Sequence, residues 1–249
     1  MGAIWRVRYV SIYLAFVCLT SLAVAQDTFT ITGGNPNNYS MGGVYISPYQ
    51  GTITNGASTY SGFVICDDFT DEVTVPETWQ TDSSTVGTSG ATNGMFESNS
   101  YSYTVSGNTF SYSGAQGYNA AAWLADQLLT NGNYNNQIQA AELSFAIWTV
   151  FDPGAINDVT GIGALTQSQV ENQVVADIKT ALSDGTYTGS TVTVWTPTSW
   201  TGDASRPQEF LTVQTPEASV LANLAVDLTA LLGAILVVRR RLLRTNQMN

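Results

Sequence analysis

Between residues 28 and 112 the apolar positions fall in short β-prone runs separated by glycine, asparagine, serine and threonine: 29–32, 43–47, 51–54, 62–66 and 72–75. Residues 101–105 and 109–112, on either side of Ser106-Gly107-Asn108, predict a hairpin, and 81–99 reads as the longest polar loop. The period then changes. Alanine, leucine and aromatic residues recur every three or four positions over 119–130 and 138–150, with Asn131-Gly132-Asn133 as a turn and Asp152-Pro153-Gly154 as a stop, which predicts a helical hairpin. A third helix is expected over 167–182, with Thr166 as its N-cap and Gly185 just past its end. Strand patterning returns over 191–195 and 209–214. Strands interrupted by helices and closed by further strands imply an α+β domain over 26–214: an antiparallel β-sandwich or barrel with an inserted helical subdomain at about 117–184.

The two ends of the chain follow different rules. Arg6 and Arg8 precede an apolar stretch over 9–24, and Ala23-Val24-Ala25 is a small-residue cleavage site, so residues 1–25 read as a secretory signal peptide. At the other end 219–238 is an apolar run of 20 residues. At about 1.5 Å per residue, a helix of that length covers the roughly 30 Å hydrocarbon layer and predicts one C-terminal transmembrane helix. Arg239, Arg240, Arg241 and Arg244 follow it, which puts the C-terminus in the cytoplasm and the rest of the chain outside. Asp227 lies in mid-run, where a charge costs about 2.5–3.5 kcal/mol on insertion; protonation or a neighbouring group answers for it more simply than a functional role. The expected localisation is export, with the protein anchored in the inner membrane or released to the cell surface.

Charge and composition narrow the function. Residues 26–216 carry 17 acidic side chains against Lys179 and Arg206, within a net charge of −11 for the whole chain. Nucleic acid is excluded as a partner, because its binding draws most of its affinity from lysine and arginine contacts to phosphate. With no histidine in the chain, Ser-His-Asp and Cys-His catalysis and histidine zinc sites are excluded as well. No enzyme activity, cofactor or metal is expected. Asp67, Asp68, Asp71 and Glu72 lack the glycine and the terminal glutamate of an EF-hand loop and read as a solvated turn. Trp123 and Trp148 read as core, whereas Trp195 and Trp200 are candidates for stacking on sugar. Cys18 leaves with the signal peptide, so the mature chain keeps Cys66 alone and forms no internal disulfide.

Two resemblances follow from short motifs. Thr215-Pro216-Glu217-Ala218, the apolar run and the arginines resemble, in that order, the PEP-CTERM sorting signal of bacteria that make exopolysaccharide, with alanine where that family has a second proline. The resemblance implies recognition by the membrane protease exosortase through Pro216, Glu217 and the basic end Arg239, Arg240 and Arg241. It also implies a structural or adhesive role at the cell surface or in an extracellular matrix, in contact with exopolysaccharide.

Ile65-Cys66-Asp67-Asp68-Phe69, Phe145-Ala146-Ile147-Trp148 and Pro207-Gln208-Glu209-Phe210-Leu211 resemble, again in order, three motifs of bacterial surface thioester domains. The chain departs from that family at Ser144, where the middle motif has glutamine, and at Ile65, where an aromatic residue or leucine precedes the cysteine. This resemblance implies a β-sandwich with a helical part, and a crosslink of the Cys66 thiol to the Gln208 side chain with loss of ammonia. The acyl group so formed is open to amine or hydroxyl nucleophiles on a partner surface, which makes the domain a covalent adhesin. Cys66 otherwise reads as an inert core residue or as one half of a disulfide to another chain.

Overall fold

The computed structural model describes residues 26–56, 58–199 and 206–214. The expected signal peptide, sorting motif and transmembrane helix lie outside the described residues; among those described, no helix is long and apolar enough to cross a membrane.

Six strands close into an antiparallel barrel: β1 (Asp27–Gly33), β4 (Tyr49–Asn55), β5 (Ser58–Cys66), β6 (Glu77–Thr85), β9 (Thr191–Ser199) and β10 (Phe210–Gln214), in the order β1-β4-β5-β10-β9-β6. Two short strands, β2 (Ser40–Met41) and β3 (Val44–Tyr45), pair beside it. Of the two architectures expected from sequence, the barrel is the one that forms. Alternation explains it: Phe29 and Ile31 on β1, Ile53 on β4, Trp79 on β6 and Val192 and Val194 on β9 are buried at every second position. Aromatic rings fill the interior. Phe29 stacks on Trp79 with centroids 4.9 Å apart and on Phe210 at 5.1 Å, and Tyr49 meets Phe210 edge-on at 5.9 Å. Gly51 makes room for them, since a Cβ there would sit 2.8 Å from a Val64 methyl and 3.5 Å from the Phe29 ring.

Residues between β6 and β9 leave the barrel and form a hairpin and three helices. The hairpin, β7 (Ser100–Val105) with β8 (Asn108–Ser113), turns at Ser106 and Gly107, which take φ of 48° and 74°. Its inward-facing tyrosines tie it to the helices: the Tyr112 hydroxyl donates to the Val150 carbonyl at 2.6 Å and that of Tyr103 to the Thr149 carbonyl at 3.1 Å. Helix α1 (Gly114–Leu129) starts in a capping box between Ser113 and Gln116, α2 (Gln137–Phe151) is capped by Asn136, and α3 (Gln167–Ser183) by a Thr166–Gln169 box. Among the three, α2 is buried almost without interruption from Ala140 to Phe151, while α3 buries only the stripe Val170, Val174, Val175, Ile178 and Ala181. Helices α1 and α2 pack against barrel strands β10 and β5, the two strands that carry the candidate residues.

Two expectations are corrected. Residues 72–75 form no strand; the strand begins at Glu77, after Pro76, and runs through Thr85, so the polar loop starts at residue 86 and not at 81. The buried positions of β6 include Thr81, a polar residue whose hydroxyl bonds the Thr196 carbonyl across the sheet, so apolar alternation is nearly silent there.

Candidate functional site

Strands β5 and β10 run antiparallel with Ile65 opposite Leu211 and Cys66 opposite Phe210, and the ladder continues one step as Asp67 N–H donates to the Glu209 carbonyl at 3.4 Å. This register alone brings the first and third motifs side by side. Beyond it the chain turns: Asp68 Oδ1 accepts from Thr70 N at 3.0 Å, Thr70 Oγ1 at 2.9 Å and Asp71 N at 3.3 Å, which curls residues 68–71 into a loop. The curl presents two carbonyls to Gln208, whose Nε2 donates to Asp68 O at 2.9 Å and to Asp71 O at 2.6 Å. Cys66 Sγ donates to the same Asp68 oxygen at 3.0 Å. Thiol and carboxamide therefore flank one carbonyl oxygen and lie within about 6 Å of each other.

The cysteine is sealed. Cys66 is fully buried, its N–H donates to Ser47 Oγ at 3.2 Å, and Ser47 N–H donates to Ser144 Oγ at 3.0 Å. Ser144 returns its own proton to the Ala140 carbonyl at 2.7 Å. The residue that stands where the thioester motif has glutamine thus supports Cys66 from behind, through Ser47. From α2, Trp148 and Phe145 pack on Phe69 with centroids 5.3 and 6.2 Å away. Burial pushes the Cys66 thiol well above its ordinary pKa, and the Asp68 and Asp67 carboxyls push it further, with the nearby Trp148 indole pulling the other way. Such a thiol is a poor nucleophile toward solution reagents. Any reaction with Gln208 would draw on proximity instead of on a standing population of thiolate.

Beside the pair lies a second one that the motifs contain but do not announce. Asp67 and Asp68, expected in a solvated turn, are fully buried, and so is Glu209. Glu209 accepts from the Tyr118 hydroxyl, the Thr196 hydroxyl and, at 2.9 Å, the Met95 N–H. Asp67 has no donor at either oxygen and stands across the strand pair from Glu209, one step past the Cys66–Phe210 pairing. Burial first, then the charge of Glu209, raises Asp67 well above the usual carboxylate range. Asp71, on the outer side of the loop, is raised to about 6 by partial burial and the neighbouring Asp68, with Arg206 opposing. Tyr118, Thr196, Ser47 and Met95 carry no sequence signal for this role; the one hint lay in an acidic residue directly following both Cys66 and Gln208.

A cavity of about 600 Å³ opens on Gln208, bordered by Val44, Tyr45, Tyr49, Glu72 and Val75. Tyr45 and Val75 are 57% and 42% exposed at its rim. The route from solvent to the carboxamide is therefore open while the sulfur stays covered. Trp195, a candidate for sugar stacking, is half-buried and donates its indole N–H to Thr212 Oγ1 at 2.9 Å within the sheet. Trp200, Pro216, Glu217, Arg239, Arg240 and Arg241 lie outside the described residues. Among the described residues no group of three or more acidic or cysteine side chains is placed to hold a metal ion. Comparison of the chain with protein-family models, with curated proteins and with solved structures returned no match.

Proposed function

We propose that this chain is an exported surface protein whose barrel domain forms an internal thioester between Cys66 and Gln208 and uses it once, to acylate a partner. The observation that supports this reading is the convergence of Cys66 Sγ and Gln208 Nε2 on the Asp68 carbonyl oxygen. The sulfur adds to Gln208 Cδ, the C–N bond breaks, and the thiol proton leaves with the amide nitrogen as ammonia. Positioning of this kind is worth effective concentrations of about 10⁵–10⁸ M, enough to offset a thiol held mostly protonated. An amine or hydroxyl entering by the Gln208 cavity then attacks Cδ, the C–S bond breaks, and Cys66 recovers a proton from the nucleophile.

Intact-mass measurement of the purified full chain tests this. A deficit of one ammonia is expected in the native protein and is lost in Cys66→Ser and in Gln208→Ala. Full mass in the parent, together with native-state alkylation of Cys66, would show a free thiol and overturn the thioester. The protein would then be a passive component of the cell surface or matrix, held by its C-terminal helix or freed by exosortase.

A further inference from the structure

We propose that Asp67 and Glu209 share a single proton, and that this bond is the positioning element that holds the Cys66 end of β5 against the Gln208 end of β10. The geometry divides the roles. Glu209 collects three donors, from Tyr118 on α1, Thr196 on β9 and the Met95 backbone, and so carries the charge. Asp67 collects none, and its oxygens are closed off from water, so its remaining means of satisfaction is to be the acid and donate to Glu209. The titratable groups that face the pair are Asp68 and Cys66 at the end of β5, Tyr118 on α1 and Tyr101 on β7, and none is a cation. Among the described residues no cation that faces the pair neutralises a second negative charge. Loss of the shared proton leaves two carboxylates in contact in a sealed space, and the strand ends that bear them are the two that bear Cys66 and Gln208. One backbone hydrogen bond, Asp67 N–H to Glu209 O, joins them past the last paired residues.

The consequence for acyl transfer rests on the thioester reading; the proton latch does not. The test therefore uses the full chain carrying Gln208→Ala, in which Cys66 is a free thiol whatever the parent does. Its native-state alkylation by iodoacetamide is followed from pH 6 to pH 9 with Asp67 present and with Asp67→Asn, whose amide donates to Glu209 at every pH. Taking the ratio of the two rates at each pH removes the titration common to both thiols; the ionised Asp67 raises the thiol pKa only in its own chain and so works against the excess expected there. Equal rates are expected at pH 6, with the Asp67 chain about tenfold faster than its Asn variant at pH 9. Rates that stay equal across the range would overturn the latch. Should Asp67→Asn not fold, Glu209→Gln serves in the same way, donating its amide to an ionised Asp67, and the same flattened profile is expected. In the parent bearing Gln208, intact mass reports the thioester separately: an absent ammonia deficit removes the acyl chemistry and leaves the alkylation result to decide the latch.

Discussion

Holding a proton on Asp67 makes stability depend on pH in a direction opposite to that of an ion-paired carboxylate. Its folded pKa lies above the unfolded value, so the native state keeps a proton that the unfolded chain releases. The stabilisation is complete below about pH 4 and is lost as pH rises toward the folded value, at up to about 1.4 kcal/mol per pH unit. Asp67→Asn is expected to remove that slope, as read from urea-unfolding midpoints taken at half-unit steps of pH. Glu142 on α2 follows the same sign: burial and the facing Asp177 raise it to about 7. Glu142→Gln is expected to raise the melting temperature at pH 8 and to leave it unchanged at pH 4. At Ser144 the issue is satisfaction, not charge. Replacing it by alanine leaves the buried Ser47 N–H without an acceptor, a loss of about 1–3 kcal/mol, and loosens the residue that holds Cys66 N–H.

Helix α1 is the element on which the site leans, because its Tyr118 reaches across to Glu209. Its first residue, Gly114, is wedged against the preceding loop: a Cβ there would lie 2.2 Å from the Phe96 carbonyl oxygen and 2.4 Å from that of Glu97. Helix propensity favours alanine over glycine by up to about 1 kcal/mol, yet the clash is with backbone that cannot swing aside. Gly114→Ala is accordingly expected to destabilise by about 1–3 kcal/mol in chemical denaturation, and a stabilised variant would show that the loop yields. Gly94 leaves room for the same helix's Tyr118, since a Cβ there would lie 2.3 Å from the Tyr118 hydroxyl oxygen. The helix, the loop before it and β10 thus act as one unit around the acid pair.

For the molecule as a whole, the sealed thiol, the open cavity over Gln208 and the short distance in sequence from Gln208 to Pro216 place the strand proposed to react directly before the proposed anchor. Ending the chain at Thr215 is expected to move the protein from the membrane fraction to the soluble exported fraction; continued sedimentation with membranes would reject the tail as the anchor. Periodicity determined the helices, the caps Thr166 and Gly185 and most strands, because each depends on neighbours within one turn or one pleat. The acidic, histidine-free composition was an equally local reading, and so were the proposed leader and anchor, which lie outside the described residues. Motif order nominated Cys66 and Gln208, but 142 positions separate them, and their meeting depends on the register of β5 against β10. Tertiary structure also closed the barrel, made a strand of 77–85 and took Asp67 and Asp68 out of water. Whether a carboxyl is solvated or sealed is decided by what packs over it, here α1, β9 and the loop at Met95, and the residues on either side of it in the chain carry no record of that.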